Sequence, residues 1–335
     1  MIKIEDIGLK PGSQNTAVAS RNESKIVTNV IKTCIRYPRN SLLNQTAALK
    51  PMVGDEAANF ADAKYPLNLG LVETQEGTQQ IMEIFKCLEI PQGSDIVVAS
   101  PAMEINEGQM RLADAVKEVF HPNKLYLVSE ALCSNIYLLM NQGIIQNPND
   151  LLSKTILSAN LGSSTFEFGC FDQTDTVHLS AHSEAGGNIV DEKIFTRIQS
   201  SLGDAFITLP DIRAMKESCS LTEIRQFEVK GQNRDGIVVK MVSKEVTEPV
   251  MDYVNIVAEI IKKELKSISP QIRRSAFEMP LAISGGMANI EGLPELLTEA
   301  LEIKLNYPIK TIYSKEKNSH MTAAIGALML CEVTE

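Results

Sequence analysis

The chain contains no tryptophan, only four histidines and six cysteines, and nothing near the eighteen consecutive apolar residues that a membrane helix needs. The cysteines (Cys34, Cys87, Cys133, Cys170, Cys219, Cys331) include no C-x-x-C pair, so neither a zinc cluster nor a disulfide framework is expected. His121, His178, His182 and His320 show no metal-ligand spacing, and structural or surface roles are expected for them. The opening MIKIEDIGLK lacks the apolar stretch of a signal peptide, which predicts a soluble cytoplasmic protein. Positive charge is also short. Lysine and arginine total 32 against 42 aspartates and glutamates, a net charge of −10, which argues against a nucleic-acid partner.

What remains is ordinary globular material, 44% apolar and 22% charged over 335 residues. That length exceeds the needs of one core and predicts two core-bearing lobes. The chain begins with a strand-like stretch, the turn Gly8-Leu9-Lys10-Pro11-Gly12-Ser13-Gln14-Asn15-Thr16, and a second strand: a β-hairpin, not the strand-to-helix entry of a Rossmann or Walker loop. The pattern returns in the second half. Thr155 to Ala159 leads into Asn160-Leu161-Gly162-Ser163-Ser164-Thr165, and Phe166 to Cys170 leaves it. The echo predicts two related lobes. Between the hairpins, helices are expected near 74–88, 108–120 and 131–137, and strands at 95–99 and 125–128. Residues 33–74 are irregular and proline-bearing. Later, Met251, Val254, Val257, Ala258, Ile261 and Leu265 keep helical spacing, with Pro249 placed in the first turn and Thr247 as the cap. A strand at 281–283 meets Ser284-Gly285-Gly286-Met287, and helices are expected at 293–297 and 321–331.

Glycine-hydroxyl turns suit phosphate, because backbone N–H groups point at the anion and glycine permits close approach. Each turn alone reads more simply as ordinary hairpin closure, and only the pair together with the third turn at Gly285-Gly286 favours phosphate. A strand entering Ser-Gly-Gly-Met suits a nucleoside, or a tight strand-to-helix connection. Lys216 and Glu217, taken alone, read as part of a solvated helix face.

The order of these segments resembles the actin-like ATPase superfamily, and within it the bacterial filament proteins of the MreB and MamK type. The first hairpin resembles the phosphate pattern G-x-D-x-G-S/T-x-x-T at Gly8, Gly12, Ser13 and Thr16. Gly54-Asp55-Glu56-Ala57 and Tyr65-Pro66-Leu67-Asn68-Leu69-Gly70 resemble the G-D-E-A and P-L-x-x-G segments of the filament proteins. Ser100-Pro101-Ala102 and Ser129-Glu130-Ala131 resemble the V-P strand end and the S-E-P connection. The second hairpin resembles D-x-G-x-G-T-T-D, and Gly285-Gly286-Met287 resembles the adenosine motif.

The resemblance implies an α/β, actin-like (ribonuclease H-like) fold: two α/β lobes, each with a smaller inserted subdomain, around a nucleotide cleft. Subdomain IA would take 1–32, 75–153 and 317–335; IB 33–74; IIA 154–187 and 249–316; IIB 188–248. ATP or ADP is the implied cofactor. Lys10, Gly12, Ser13, Asn15, Asn160, Gly162, Ser163 and Thr165 would meet the phosphates, and Lys216, Glu217, Gly285, Gly286 and Met287 the nucleoside.

The departures from the pattern are chemical. Lys10 stands where the family has aspartate, Asn160 replaces the leading aspartate of the second pattern, Ser164 its second glycine and Glu167 its last aspartate. Magnesium prefers oxygen ligands, whereas an ammonium can only pair with phosphate oxygens directly, so Mg²⁺ is doubtful and no metal ligand is assigned. Gly108 falls where the family's catalytic glutamate belongs, leaving Glu104, Glu107 and Gln109 as candidates to orient a water. The expectation is a self-assembling cytoskeletal protein with weakened or lost ATP hydrolysis that positions cellular structures, with other filament or membrane-associated proteins as further partners. A non-polymerising adaptor docking onto membrane, division or pilus machinery is the alternative. A small-molecule kinase ranks third, since the leading acidic positions of both turns are replaced.

Overall fold

The computed structural model describes residues 5–23, 25–37, 50–60, 62–101, 106–173, 175–202, 204–233, 236–316 and 318–332. The chain forms two compact units, residues 1–149 with 321–335, and residues 150–320.

Each unit is built on a five-stranded sheet, and the two sheets share one topology. In the first unit the order is Lys25–Lys32, Asn15–Asn22, Asp6–Pro11, Asp95–Ser100, Lys124–Ser129. The first three strands form an antiparallel meander and the last two run parallel to Asp6–Pro11. In the second unit the order is Asp175–His182, Phe166–Asp172, Thr155–Leu161, Leu281–Ser284, Thr311–Ile312, with the same senses. The duplicated hairpins are thus the opening strands of duplicated sheets, which accounts for the echo in the sequence.

Parallel strands buried on both faces need continuous apolar sequence. Asp95–Ser100 is buried throughout. Its Ile96 and Val98 join a core with Ile7, Leu9, Ile84, Phe85, Leu112 and Phe120, while Val97 and Ala99 face Cys133, Ala323, Ala327 and Cys331. The second face is lined by small residues, and so the carboxyl-terminal helix Thr322–Cys331 lies very close to the sheet. A Cβ on Gly8 would fall 1.9 Å from the Ala324 carbonyl oxygen. In the second unit, Leu157, Ala159, Leu161, Phe166 and Phe168 share a core with Val250, Val254, Val257, Ile261 and Leu265 of the long helix.

That helix runs from Lys244 to Ser267, earlier than its sequence signals. Ser243 is the cap residue and Pro249 lies inside the helix. The upstream turn is retained because Val246 and Val250 continue the buried stripe. Thr247 is not the cap; its hydroxyl donates back to the Ser243 carbonyl at 3.2 Å. The irregular stretch contributes short strands Ile35–Arg36 and Met52–Val53 and a single helical turn, Asp55–Ala58. Phe227–Asn233 and Gly236–Val242 form an antiparallel strand pair, with Asp204–Ala205 added at one side. The described cysteines are free thiols, five buried and Cys87 exposed. Among the described residues no helix is long and apolar enough to cross a membrane.

Candidate functional site

The two hairpin turns close identically. Gly12 N–H donates to the Asn15 carbonyl at 3.0 Å, and Gly162 N–H donates to the Thr165 carbonyl at 2.9 Å. In both, a Cβ on the glycine would come within 2.8 Å of the carbonyl oxygen it bonds, at Asn15 and Thr165 respectively. Glycine is therefore required by the tightness of the turn, whatever binds there.

In the first unit the other motif segments gather on this turn. Ser13 Oγ accepts the Gly70 N–H at 2.9 Å, leaving its own hydroxyl hydrogen to donate elsewhere. Gly70 sits at φ +76 and packs on Pro101, whose Cγ would be 2.5 Å from a Cβ at Gly70. Thr16 and Thr33 hydroxyls bond at 2.9 Å below the turn. Lys10 is not out in solvent. Its side chain is 17% exposed and its ammonium lies 3.1 Å from Glu130 Oε1, itself almost fully buried. A Cβ on Gly12 would be 2.6 Å from the Lys10 Nζ, so the ammonium rests directly against the turn glycine.

In the second unit the turn is braced from behind. Gly187 and Asn188, the first residues of helix Gly187–Leu202, donate their N–H groups to the carbonyls of Gly162 (3.0 Å) and Ser163 (2.7 Å). Gly186 fits so tightly that a Cβ would lie 2.4 Å from the Ser164 carbonyl. Asn160 is buried and its Oδ1 accepts from the Ser284 hydroxyl at 3.3 Å. Gly285, at φ +89, approaches the Leu161 carbonyl so closely that a Cβ would be 2.5 Å away. Gly286 is exposed with nothing within 4 Å of a Cβ position, leaving open space against the backbone, and Met287 is buried beside Gly187.

Lys216 departs from the reading of a solvated face. It is buried, with its ammonium 2.6 Å from Asp191 Oδ1 and 3.0 Å from the Gly187 carbonyl, and Arg213 Nε lies 3.4 Å from Asp191 Oδ2. The lysine ties helix Leu209–Ser218 to the start of the helix that braces the turn. Glu217 points outward and is exposed.

The candidates for orienting a water fare differently. Glu104 lies outside the described residues. Glu107 is exposed and pairs with Arg111 one helical turn on. Gln109 is buried in a capping box: its Oε1 accepts the Asn106 N–H, and its amide donates to Ser100 Oγ at 2.9 Å and to the Pro101 carbonyl at 3.1 Å. Both amide hydrogens are thereby taken by structure. Gln109→Ala is expected to lower stability by about 1–3 kcal/mol, the cost of leaving buried groups unsatisfied. Any ATP-dependent phosphate release should persist at the wild-type rate in that variant. Loss of release with unchanged melting would return Gln109 to the chemistry.

The residues at the turns do not suit the magnesium that the fold family implies. An ammonium occupies one acidic position and a neutral amide another, and the nearby Glu130 carboxylate is held by Lys10; the carboxylate retained is Glu167, buried across from Asn160 in the strand register. Among the described residues no group of three or more histidines, cysteines, aspartates or glutamates is arranged to hold a metal ion. Sequence reading missed three contributors: Glu130 as the Lys10 partner, Asp191 as the Lys216 partner, and the Gly186-Gly187 pair. The glycine pair carried a signal at the mouth of a helix, and Glu130 lay in the Ser129-Glu130-Ala131 segment with nothing local to mark its pairing with Lys10.

Comparison with known proteins agrees with this fold. A family model described as Salactin matches residues 4–334. Salactin of Halobacterium salinarum is 24% identical over 341 residues, covering 97% of this chain and 91% of that protein. The cell shape-determining protein MreB of Pasteurella multocida is 22% identical over 315 residues, covering 88% and 86%. Among solved structures, a MamK double helical filament is 21% identical with a TM-score of 0.77 and coverage of 98% and 99%. MreB 5 of Spiroplasma citri bound to AMPPNP is 17% identical with a TM-score of 0.76 and coverage of 100% and 97%. The expected actin-like fold of the MreB and MamK type is therefore present. Since the matching model runs through both sheets and both turns, this chain belongs to the Salactin family, actin-like relatives of cytoskeletal proteins.

Proposed function

We propose that this protein assembles into cytoskeletal filaments, binds an adenine nucleotide, and has weakened or lost ATP hydrolysis. The observation that carries the reading is the pair of matched turns on duplicated sheets, each closed by glycine and lined by hydroxyls. The solved relatives support it: one is a MamK filament, and the MreB 5 structures hold AMPPNP or ADP. Weak hydrolysis is supported by the engagement of Glu107 and Gln109 in structure and by the loss of both leading aspartates. Subdomain IIB at 188–248 belongs to the same reading.

Assembly requires complementary surfaces and no catalytic group. The strand Gly236–Val242 lies at the edge of its three-stranded sheet and exposes alternate apolar side chains, Ile237 (74%), Val239 (54%) and Met241 (51%). An exposed apolar edge invites pairing with another chain. The test is electron microscopy and sedimentation of the purified protein with and without ATP. Wild type is expected to pellet as filaments, with little phosphate released. Val239→Lys should remain in the supernatant while melting like wild type, because the substituted side chain is already exposed. Protein that stays monomeric at high concentration would favour the adaptor reading, which the degenerate acidic positions support equally.

A further inference from the structure

We propose that this chain takes nucleotide phosphates without a divalent metal, the Lys10 ammonium, held by Glu130, supplying the positive charge at the first turn. The inference rests on the nucleotide reading above and deepens it. Three observations converge on it. The Lys10 ammonium sits against Gly12, the residue whose turn would face phosphate. It is 3.1 Å from a carboxylate on a buried residue, so most of its desolvation has already been met within the folded protein. And the equivalent position in the second unit, two residues before Gly162, is Asn160, a neutral amide whose Oδ1 accepts from Ser284.

A dication brought near this ammonium is repelled, and the carboxylate beside it, Glu130, is already paired. A phosphate oxygen meets the opposite situation. An ammonium has three donors, so Lys10 can keep Glu130 and still donate to phosphate. Glu130 then sets the affinity: it holds the ammonium in place beneath the turn but opposes the incoming anion. The pair differs from metal in needing no loading step and in being removable by single substitutions.

The experiment is calorimetric titration of ATP into the full-length protein, in magnesium and in excess EDTA. The expected result is a Kd that agrees between the two buffers within about threefold. Binding in magnesium that weakens by about tenfold or more in EDTA overturns the proposal and leaves the nucleotide reading standing; absence of binding in both buffers overturns both. Glu130→Gln keeps the shape and removes the opposing charge. It should tighten metal-free binding by about three- to tenfold, a gain that misfolding cannot imitate. Unchanged or weaker binding by E130Q overturns the role given to the pair. Lys10→Met, shown to be folded by its melting curve, should lose at least about tenfold in EDTA, and wild-type affinity there overturns the role given to Lys10.

Discussion

Gly326→Ala is expected to destabilise the first unit by about 3 kcal/mol, although alanine is ordinarily the better residue inside a helix. Gly326 lies in the helix Thr322–Cys331, and a Cβ there would stand 1.7 Å from the Cys133 carbonyl oxygen of helix Glu130–Asn141. The obstacle is backbone, so no side chain can swing away, and one helix must move off the other. That movement would open the layer of Val97, Ala99, Cys133, Ala323 and Ala327. The sign of the effect makes the test sharp. Helix propensity alone predicts a gain of about 1 kcal/mol, whereas the close approach predicts a loss large enough to lower the melting temperature by about 6–12 °C. Calorimetric melting of G326A decides between them, and a raised melting temperature would show that the helices are not in backbone contact. Gly8→Ala should behave similarly, since its Cβ would meet the Ala324 carbonyl from the sheet side.

Lys216→Met should cost about 3–5 kcal/mol, because it leaves Asp191 buried without the ammonium it faces. Arg213 remains near Asp191 but is farther away, at 3.4 Å, so it offsets only part of the loss. The double variant K216M with Asp191→Asn removes the stranded charge and should recover most of the stability; a cycle of thermal melts measures the coupling. Equal losses in the single and double variants would mean that packing of the lysine stem, not the ion pair, dominates. The effect should reach beyond stability. Lys216 also holds the Gly187 carbonyl, and Gly187 N–H braces the Gly162 turn, so under the proposed nucleotide reading K216M should weaken ATP binding in a calorimetric titration even though the wild-type ammonium is buried.

Much of the architecture was legible in the amino-acid sequence, and for local reasons. A buried parallel strand needs an apolar run, here Ile96 to Ala99 within Asp95–Ser100, and the turns require glycine at Gly12 and Gly162. The repeat of strand, turn and strand at both places reflected a true duplication of sheet order. The errors also have local causes. Thr247 and Pro249 carry the usual marks of a helix start, yet burial of Val246 and Val250 drew the helix one turn further back. Lys216 follows the polar pattern of an exposed face and is nonetheless buried, because Asp191 lies 25 residues earlier on another helix.

Residue type and short-range spacing determined the two glycine turns, while the class of fold and the replacement of acid by Lys10 and Asn160 were legible only through the order of motifs that resembles the actin-like family. Only the tertiary structure decided what those replacements do. Whether an ammonium faces water, a phosphate or a carboxylate depends on which distant residue folding brings to it, and Glu130, 120 positions away in the chain, is the one that arrived.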